Sequence, residues 1–216
     1  MQLSKQKGFT LVEIAIVLVI VGLMIGGVLK GRELITNAKL KRIESYNTGL
    51  VAAIWSYQDR YMQQLPGDDS GAEDRFTVYA AGDPVNGDGT GTIDGVWSVA
   101  STGDITLALT SETNMLFAHL RAAGFIPGGG VDDTKPTNAF GGQIGIQSGA
   151  LNISGHVIIF GAIGGPIARI IEAKLDDSAG DTGRLQSAIS GDDLALPASA
   201  VAVYVDTERY DIAIGL

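Results

Sequence analysis

The sequence predicts an α+β protein in which a long N-terminal helix leads into a mixed head of helices and strands. Three observations predict this class. Residues 9–29 form an apolar run, a helical spacing of apolar side chains follows it, and short β-branched runs come later in the chain. A chain of 216 residues can build one good core and an appendage, but hardly two full domains with an anchor. We therefore expect one head and one stalk.

Residues 9–29 are long enough to cross a membrane as one helix. These 21 residues would span roughly 31 Å, which is close to the thickness of a bilayer core. Basic residues follow the run and no small-x-small cleavage site is present, so we expect the apolar segment to be retained. Glu13 is the exception inside it, because a carboxylate at the centre of a hydrocarbon layer costs about 2.5–3.5 kcal/mol on insertion scales.

Glu13 therefore needs a partner. Cleavage between Gly8 and Phe9 would create an α-amino group one turn before this carboxylate. Within one molecule, the helix dipole also favours a negative charge here by about 0.3–1 kcal/mol. Between molecules, Glu13 of an incoming subunit can pair with the Phe9 amine of its neighbour. Such a pair would fix the axial register of an assembly, and breaking it from one side would be costly.

These residues also carry a family resemblance. The segment GFTLVE, residues 8–13, follows a short basic leader and precedes the apolar run. It resembles the class III signal of type IV pilins and type II secretion pseudopilins. The resemblance covers residues 1 to about 62. It implies a cytoplasmic leader, cleavage after Gly8 by a prepilin peptidase, N-methylation of Phe9, and a retained helix that packs at a filament core.

The resemblance implies a structural role. We expect a subunit of a type IV pilus-like filament, with a minor pilin or a type II secretion pseudopilin as the alternative within the family. The implied partners are other copies in a helical filament, the prepilin peptidase, an inner-membrane assembly platform and its motor ATPase. The precursor would lie in the bacterial inner membrane as a single-pass protein, and the filament would be extracellular or periplasmic. A signal-anchored binding protein or enzyme is the alternative outside the family.

Four segments follow from these observations. They are the leader, 1–8, the transmembrane and filament-core helix, 9–29, its amphipathic continuation, 30–65, and a globular α+β head, 66–216. Family members often carry a helix-kinking proline in the apolar run, whereas this run has only interior glycines as weak points. Gly22, Gly26 and Gly27 either permit local melting or allow close helix approach.

The continuation of the helix is amphipathic. Its apolar face is spaced by three or four residues and comprises Ile43, Tyr46, Leu50, Ile54, Tyr57 and Tyr61. We expect this face to dock on a sheet and Trp55 to pack in the core with Tyr57 and Tyr61. The turn residues 65–68, Leu-Pro-Gly-Asp, should end the helix.

The head should contain two short helices and at least two strands. Thr110 or Ser111 can cap the first helix, with Met115, Leu116 and Leu120 inward and Gly124 as its stop. Pro166 suits the first turn of the second helix. Its predicted inner face is Ile167, Ile170, Ile171 and Leu175. The runs HVIIFGAI, residues 156–163, and AVAVYV, residues 200–205, favour strands. The resemblance adds an antiparallel sheet under the long helix.

One loop, residues 82–95, concentrates oxygen donors suited to Ca²⁺. The candidate ligands are Asp83, Asn86, Asp88, Thr90 and Asp94. The spacing departs from EF-hand and dockerin-type loops, so a solvated Gly/Asp turn is the alternative. The chain has no cysteine and therefore no disulfide brace, and the resemblance to calcium-bearing pseudopilins suggests that Ca²⁺ could replace such a brace. A second acidic cluster, Asp176, Asp177 and Asp181 beside Lys174, is expected to be a capped turn or a subunit contact.

Composition argues against other functions. The formal net charge is −9, so nucleic acid is not expected as the main partner, because phosphate binding requires clustered Lys and Arg. The absence of cysteine excludes a thiol nucleophile and a thiolate metal site. His119 and His156 are the only histidines, and neither has the spacing of a metal site or a catalytic triad. We therefore expect no enzymatic activity, with a membrane-tethered carboxylate hydrolase as the alternative.

Overall fold

The computed structural model describes residues 8–216 except 82, 84, 99–100, 102, 107–110 and 192–199. Its helices are α1 (Leu11–Arg60), α2 (Ala72–Arg75), α3 (Glu112–Ala122) and α4 (Gly165–Leu175), and its strands are β1 (Ile144–Ala150), β2 (Ile153–Gly164), β3 (Leu185–Ile189) and β4 (Arg209–Gly215). The predicted α+β class, a long N-terminal helix with an antiparallel sheet, is confirmed. The chain divides into two compact units, one ending at Lys41 and one from Arg42 to Leu216.

Within the first unit, the segment of residues 9–29 is apolar on every side. Each large apolar side chain between residues 9 and 29 is exposed within the chain, from 45% for Val21 to 88% for Leu11. This part of α1 is long and apolar enough to cross a membrane. The helix continues through Gly22, Gly26 and Gly27, where an added Cβ would meet no atom within 4 Å. Both interpretations of these glycines stay open.

The second unit contains the amphipathic part of α1. Ile43, Leu50, Ile54 and Tyr57 are buried, as the spacing predicts. Trp55 is 59% exposed, so the prediction that it packs in the core was wrong. The reason is geometric, because each residue of an α-helix is rotated by about 100° from the one before it, which turns residue 55 away from the buried stripe.

α1 ends before the turn residues 65–68 that were predicted to end it. The helix ends at Arg60, and Met62 and Gln63 have φ of 56° and 70°. This left-handed backbone breaks the helix before Pro66 is reached.

The four strands form one antiparallel sheet with the order β1-β2-β4-β3. The predicted strand at residues 156–163 is confirmed as part of β2. The predicted strand at residues 200–205 is wrong, because this segment has no strand pairing. β4 already pairs on one side with β2 and on the other with β3, and Tyr204 is instead buried in side-chain hydrogen bonds.

α3 follows its prediction, whereas α4 shows a different inner face. Ser111 precedes α3, and Gly124 adopts φ of 76° beyond its end; Thr110 lies outside the described residues. In α4, Ile170 and Leu175 are 44% and 42% exposed, so this part of the predicted face was wrong. The buried side chains are Ala168, Ile171 and Glu172. An acidic side chain thus occupies an inward position of α4.

Candidate functional site

Thr10 and Glu13 bind each other at the start of α1. The Thr10 backbone N–H and hydroxyl donate to Glu13 Oε2 at 2.8 and 2.9 Å, and the Glu13 N–H donates to Thr10 Oγ1 at 3.3 Å. Since α1 begins at Leu11, Thr10 is its N-cap and Glu13 its third residue. This arrangement is a capping box, in which two unpaired N–H groups of a helix end are satisfied reciprocally.

The sequence interpretation of Glu13 missed this intramolecular role. The signal was present, because the residues from Thr10 to Glu13 read T-L-V-E and match the capping-box pattern. The carboxylate therefore acts within its own chain as well as being available for a partner. Replacement by Gln preserves a capping box but removes the charge, so it separates the two roles.

Gly8 and Phe9 lie on the surface just before the capping box. Phe9 is 83% exposed, and an added Cβ at Gly8 would meet no atom within 4 Å. The fold of the chain therefore does not require glycine at position 8. A requirement for a small residue there must come from a molecule that binds this segment.

A family model described as the prokaryotic N-terminal methylation motif matches residues 3–29. The chain carries the class III signal of the type IV pilin and pseudopilin family. The resemblance of residues 8–13 is therefore confirmed, and this N-terminal motif supports a pilin-like or pseudopilin precursor. Such a signal implies processing by a prepilin peptidase, and with the apolar helix it agrees with a membrane-anchored precursor.

The family model matches only the N-terminal residues 3–29 of the chain. No curated protein and no solved structure matches the chain significantly. The remaining candidate sites therefore depend on geometry alone.

In the loop predicted to bind Ca²⁺, the structure groups Asp88 with two residues that the sequence did not indicate. Asp68, Asp88 and Glu112 each offer a carboxylate oxygen, and these oxygens lie within 4.8 Å of one another. Asp83 and Asp94 are outside this group. No spacing in the sequence predicts the group, because Glu112 belongs to α3, far from the loop in the chain.

The loop uses these carboxylates to bind its own backbone. Asp68 is 3% exposed and accepts the N–H groups of Gly89, Thr90 and Gly91 at 2.6, 3.0 and 2.7 Å. Glu112 accepts the N–H groups of residues 88 and 94. Burial raises the pKa of both Asp68 and Glu112. The buried carboxylates therefore hold the loop through hydrogen bonds without requiring an ion.

The other predicted ligands also have partners. Asp83 accepts the Ala80 N–H at 2.7 Å, Asn86 accepts the Glu73 N–H at 2.9 Å, and Asp94 accepts the Thr92 hydroxyl at 2.9 Å. The Thr90 hydroxyl lies 2.9 Å from that of Thr92. The five predicted oxygen donors are thus distributed around the loop. Calcium binding by residues 82–95 stays a prediction.

The second acidic cluster gains a buried member in the structure. Glu172 lies with Asp176 and Asp177, whereas Asp181 is outside the group. Lys174 pairs with Glu44 of α1 instead of with the cluster. Burial raises the pKa of Glu172 to about 7, with a smaller contribution from the Asp176 and Asp177 charges, although the hydrogen bond from Tyr204 lowers it. The sequence did not indicate Glu172, because the predicted inner face of α4 comprised only apolar residues.

The two histidines have local partners. His119 is fully buried, its Nδ1 accepts the Gly67 N–H at 2.9 Å, and its Nε2 donates to the Val85 carbonyl at 2.8 Å. Burial lowers the pKa of His119 to about 4. His156 Nδ1 lies 2.9 Å from the Ser148 hydroxyl, which also accepts the Ile93 N–H. These contacts tie loops to α3 and to the sheet.

Proposed function

We propose that the chain is a structural subunit of a type IV pilus-like filament. It is cleaved after Gly8 by a prepilin peptidase, N-methylated at Phe9 and assembled through the helix of residues 9–29. Before assembly it spans the bacterial inner membrane once, and an assembly platform with a motor ATPase transfers it to an extracellular or periplasmic filament. The observation that supports this most is a class III signal on a helix whose large apolar side chains are all exposed within the chain.

The exposed apolar helix requires a cover that the chain itself does not provide. Burying a Val or Leu side chain is worth about 1.5–3 kcal/mol relative to water, so residues 9–29 cannot stay in solvent. Lipid and a bundle of like helices both satisfy this requirement. Lipid tails are as apolar as Leu, so the transfer from membrane to filament gains little from hydrophobicity.

Polar contacts therefore favour the filament over the membrane. Glu13 is the one carboxylate within residues 9–29, and a neighbour's Phe9 amine offers it an opposite charge. An ion pair between subunits relieves a charge that is expensive in lipid. In this proposal the capping box positions the Glu13 carboxylate at the helix end, where the neighbour reaches it.

The first test is intact-mass analysis of the protein from the native host, in sheared extracellular material and in membranes separately. A sheared species that begins at methylated Phe9 supports the filament subunit, and a high abundance favours a major over a minor subunit. If only the membranes contain the Phe9-processed form, the type II secretion pseudopilin becomes the better assignment. A chain that still begins at Met1 in both fractions would refute the proposal and favour an anchored binding protein or enzyme.

The second test separates the two roles of Glu13. Glu13→Gln keeps a capping box and loses the charge, whereas Glu13→Ala loses both. The proposal expects both variants to insert into the membrane and to be processed, and both to fail in assembly. If Glu13→Gln assembles like the wild type while Glu13→Ala does not, capping is the whole role of Glu13 and the intersubunit pair is wrong.

A further inference from the structure

A buried carboxylate oxygen lies without a hydrogen-bond partner at the C-terminal end of α4. Glu172 is 0% exposed, and its Oε2 accepts the Tyr204 hydroxyl at 2.9 Å. Its Oε1 is also buried and has no hydrogen-bond partner among the residues that the structure describes. A buried acceptor left in this condition costs about 1–3 kcal/mol, and more when it is charged. Such a group therefore indicates a ligand.

Two further carboxylates converge on Glu172. Asp176 and Asp177 each place an oxygen within 4.8 Å of a Glu172 oxygen and of each other. All three lie at the helix C-terminus, where the macrodipole is negative and favours a cation. Three carboxylates this close repel one another unless a positive charge lies between them.

We propose that Glu172, Asp176 and Asp177 bind a hard divalent cation such as Ca²⁺. The group of three supplies oxygen ligands only, which suits Ca²⁺ or Mg²⁺ better than zinc or copper. Burial raises the pKa of Glu172, which agrees with this site because a bound cation would stabilise its charged form. This inference does not depend on the filament proposal.

Two basic residues close to this group in the sequence have other partners. Lys174 pairs with Glu44, and Arg184 donates from Nε to the Gly215 carbonyl at 2.8 Å. Neither of these contacts supplies the cation that the three carboxylates require.

The loop after α4 holds the two aspartates in place. Asp176 accepts the Leu185 N–H at 2.6 Å, and Asp177 accepts the Ala179 N–H and the Thr182 hydroxyl at 2.9 and 2.8 Å. Each of these carboxylates retains further lone pairs for a metal. The site is therefore preformed around the inward-pointing Glu172.

The other acidic group gives the contrast. In that group both oxygens of Asp68 and both oxygens of Glu112 accept backbone N–H groups. Its buried carboxylates are satisfied within the chain, and only the group at α4 contains a buried oxygen that requires a partner. This difference assigns the cation to the end of α4.

The test is a calorimetric titration of the full-length protein in detergent micelles, after a chelator has removed bound metal. Ca²⁺ and Mg²⁺ are titrated separately. We expect Glu172→Gln to weaken Ca²⁺ binding by more than about tenfold. Tyr204→Phe removes the hydrogen bond that orients Glu172, and loss of such an outer partner costs about 10- to 100-fold in metal affinity.

Asp88→Asn is the matched control in the other acidic group: it removes a candidate ligand of the loop 82–95, and the proposal expects it to leave the Ca²⁺ affinity of the site at the end of α4 unchanged. Asp177→Asn, at an exposed position, provides a second variant if Glu172→Gln disturbs folding, which circular dichroism would reveal. Unchanged affinity in the Glu172 or Asp177 variant would overturn the proposal. So would binding that disappears in Asp88→Asn, or the absence of Ca²⁺ binding by the wild type.

Discussion

Apolar side chains are exposed in the helix of residues 9–29 and buried in the head, which extends from Arg42 onward. In the helix, all large apolar side chains are exposed within the chain, whereas in the head Phe117, Ile158 and Tyr57 are completely buried. The helix is matched by a family model, and nothing in the comparisons matches the head. The apolar side chains of the helix therefore need a cover from outside the chain, whereas those of the head are covered by packing within the chain.

Truncation of a core side chain should separate the two regions most clearly. Phe117→Ala removes a fully buried ring from α3 and should lower the free energy of unfolding of the head by about 3–5 kcal/mol. Leu18→Ala, at a position 66% exposed within the chain, should leave the stability of the head unchanged. Urea unfolding in micelles, followed by the emission of the buried Trp97 in a Trp55→Phe background, measures both. Equal losses in the two variants would contradict the division between the regions.

The free energy of unfolding of the head should depend on pH through the titration of His119. Its pKa is about 4 in the folded chain and 6.5 in a model peptide, so the unfolded state binds the proton more strongly. The stabilisation is complete above pH 6.5 and is lost as the pH falls towards 4, by about 3 kcal/mol.

The check compares wild type with His119→Gln in urea at several pH values, so that other titrating groups cancel. We expect the advantage of the wild type to decrease between pH 6.5 and 4. A constant difference across this range would show that His119 titrates as it does in the unfolded chain.

The capping box should have a smaller and purely local effect. Thr10→Ala removes the N-cap hydroxyl and should destabilise the start of α1 by about 1 kcal/mol. Thr10→Ser keeps the hydroxyl and should retain the wild-type stability of this helix end. Hydrogen exchange of the amides of residues 11–14 in micelles measures this fraying. Protection that is identical in all three proteins would exclude the capping box as a contribution to helix stability.

The smallest effect is expected at Trp55. Its side chain is 59% exposed although it belongs to the head's part of α1. Trp55→Ala should therefore change the free energy of unfolding by less than about 0.5 kcal/mol, as is usual for surface positions. Circular dichroism during urea unfolding follows this variant. A loss of several kcal/mol would mean that Trp55 packs in the core, as the sequence first suggested.

The sequence predicted best those features that depend on neighbours along the chain. The apolar run, the buried stripe through Ile43 and Tyr57, and the glycine stop of α3 each follow from local spacing. The inward position of Glu172 could not be predicted, because an acidic residue in an amphipathic helix is assigned to the solvent side by default. Its burial depends on Tyr204, which lies in a segment that the sequence assigned to a strand and that the structure shows as a loop.

The group of Asp68, Asp88 and Glu112 could not be predicted from the sequence for a related reason. Asp68 and Glu112 meet Asp88 from a turn and from a helix far away in the chain, and a spacing rule detects only ligands within one loop. The capping box differs, because its four-residue pattern, T-L-V-E, can be read directly from the sequence.

The sheet order has a consequence for how the protein is made. β4 lies between β2 and β3, so the sheet cannot be completed until Gly215 has left the ribosome. Residues 9–29 emerge more than a hundred residues earlier, and synthesis at about 5–20 residues per second leaves the membrane machinery seconds to engage them. Under the proposed function, residues 9–29 therefore insert into the bilayer while the head is still unfolded and competent for translocation. Until β4 arrives, β2 presents an open edge, which makes this interval the one most exposed to aggregation.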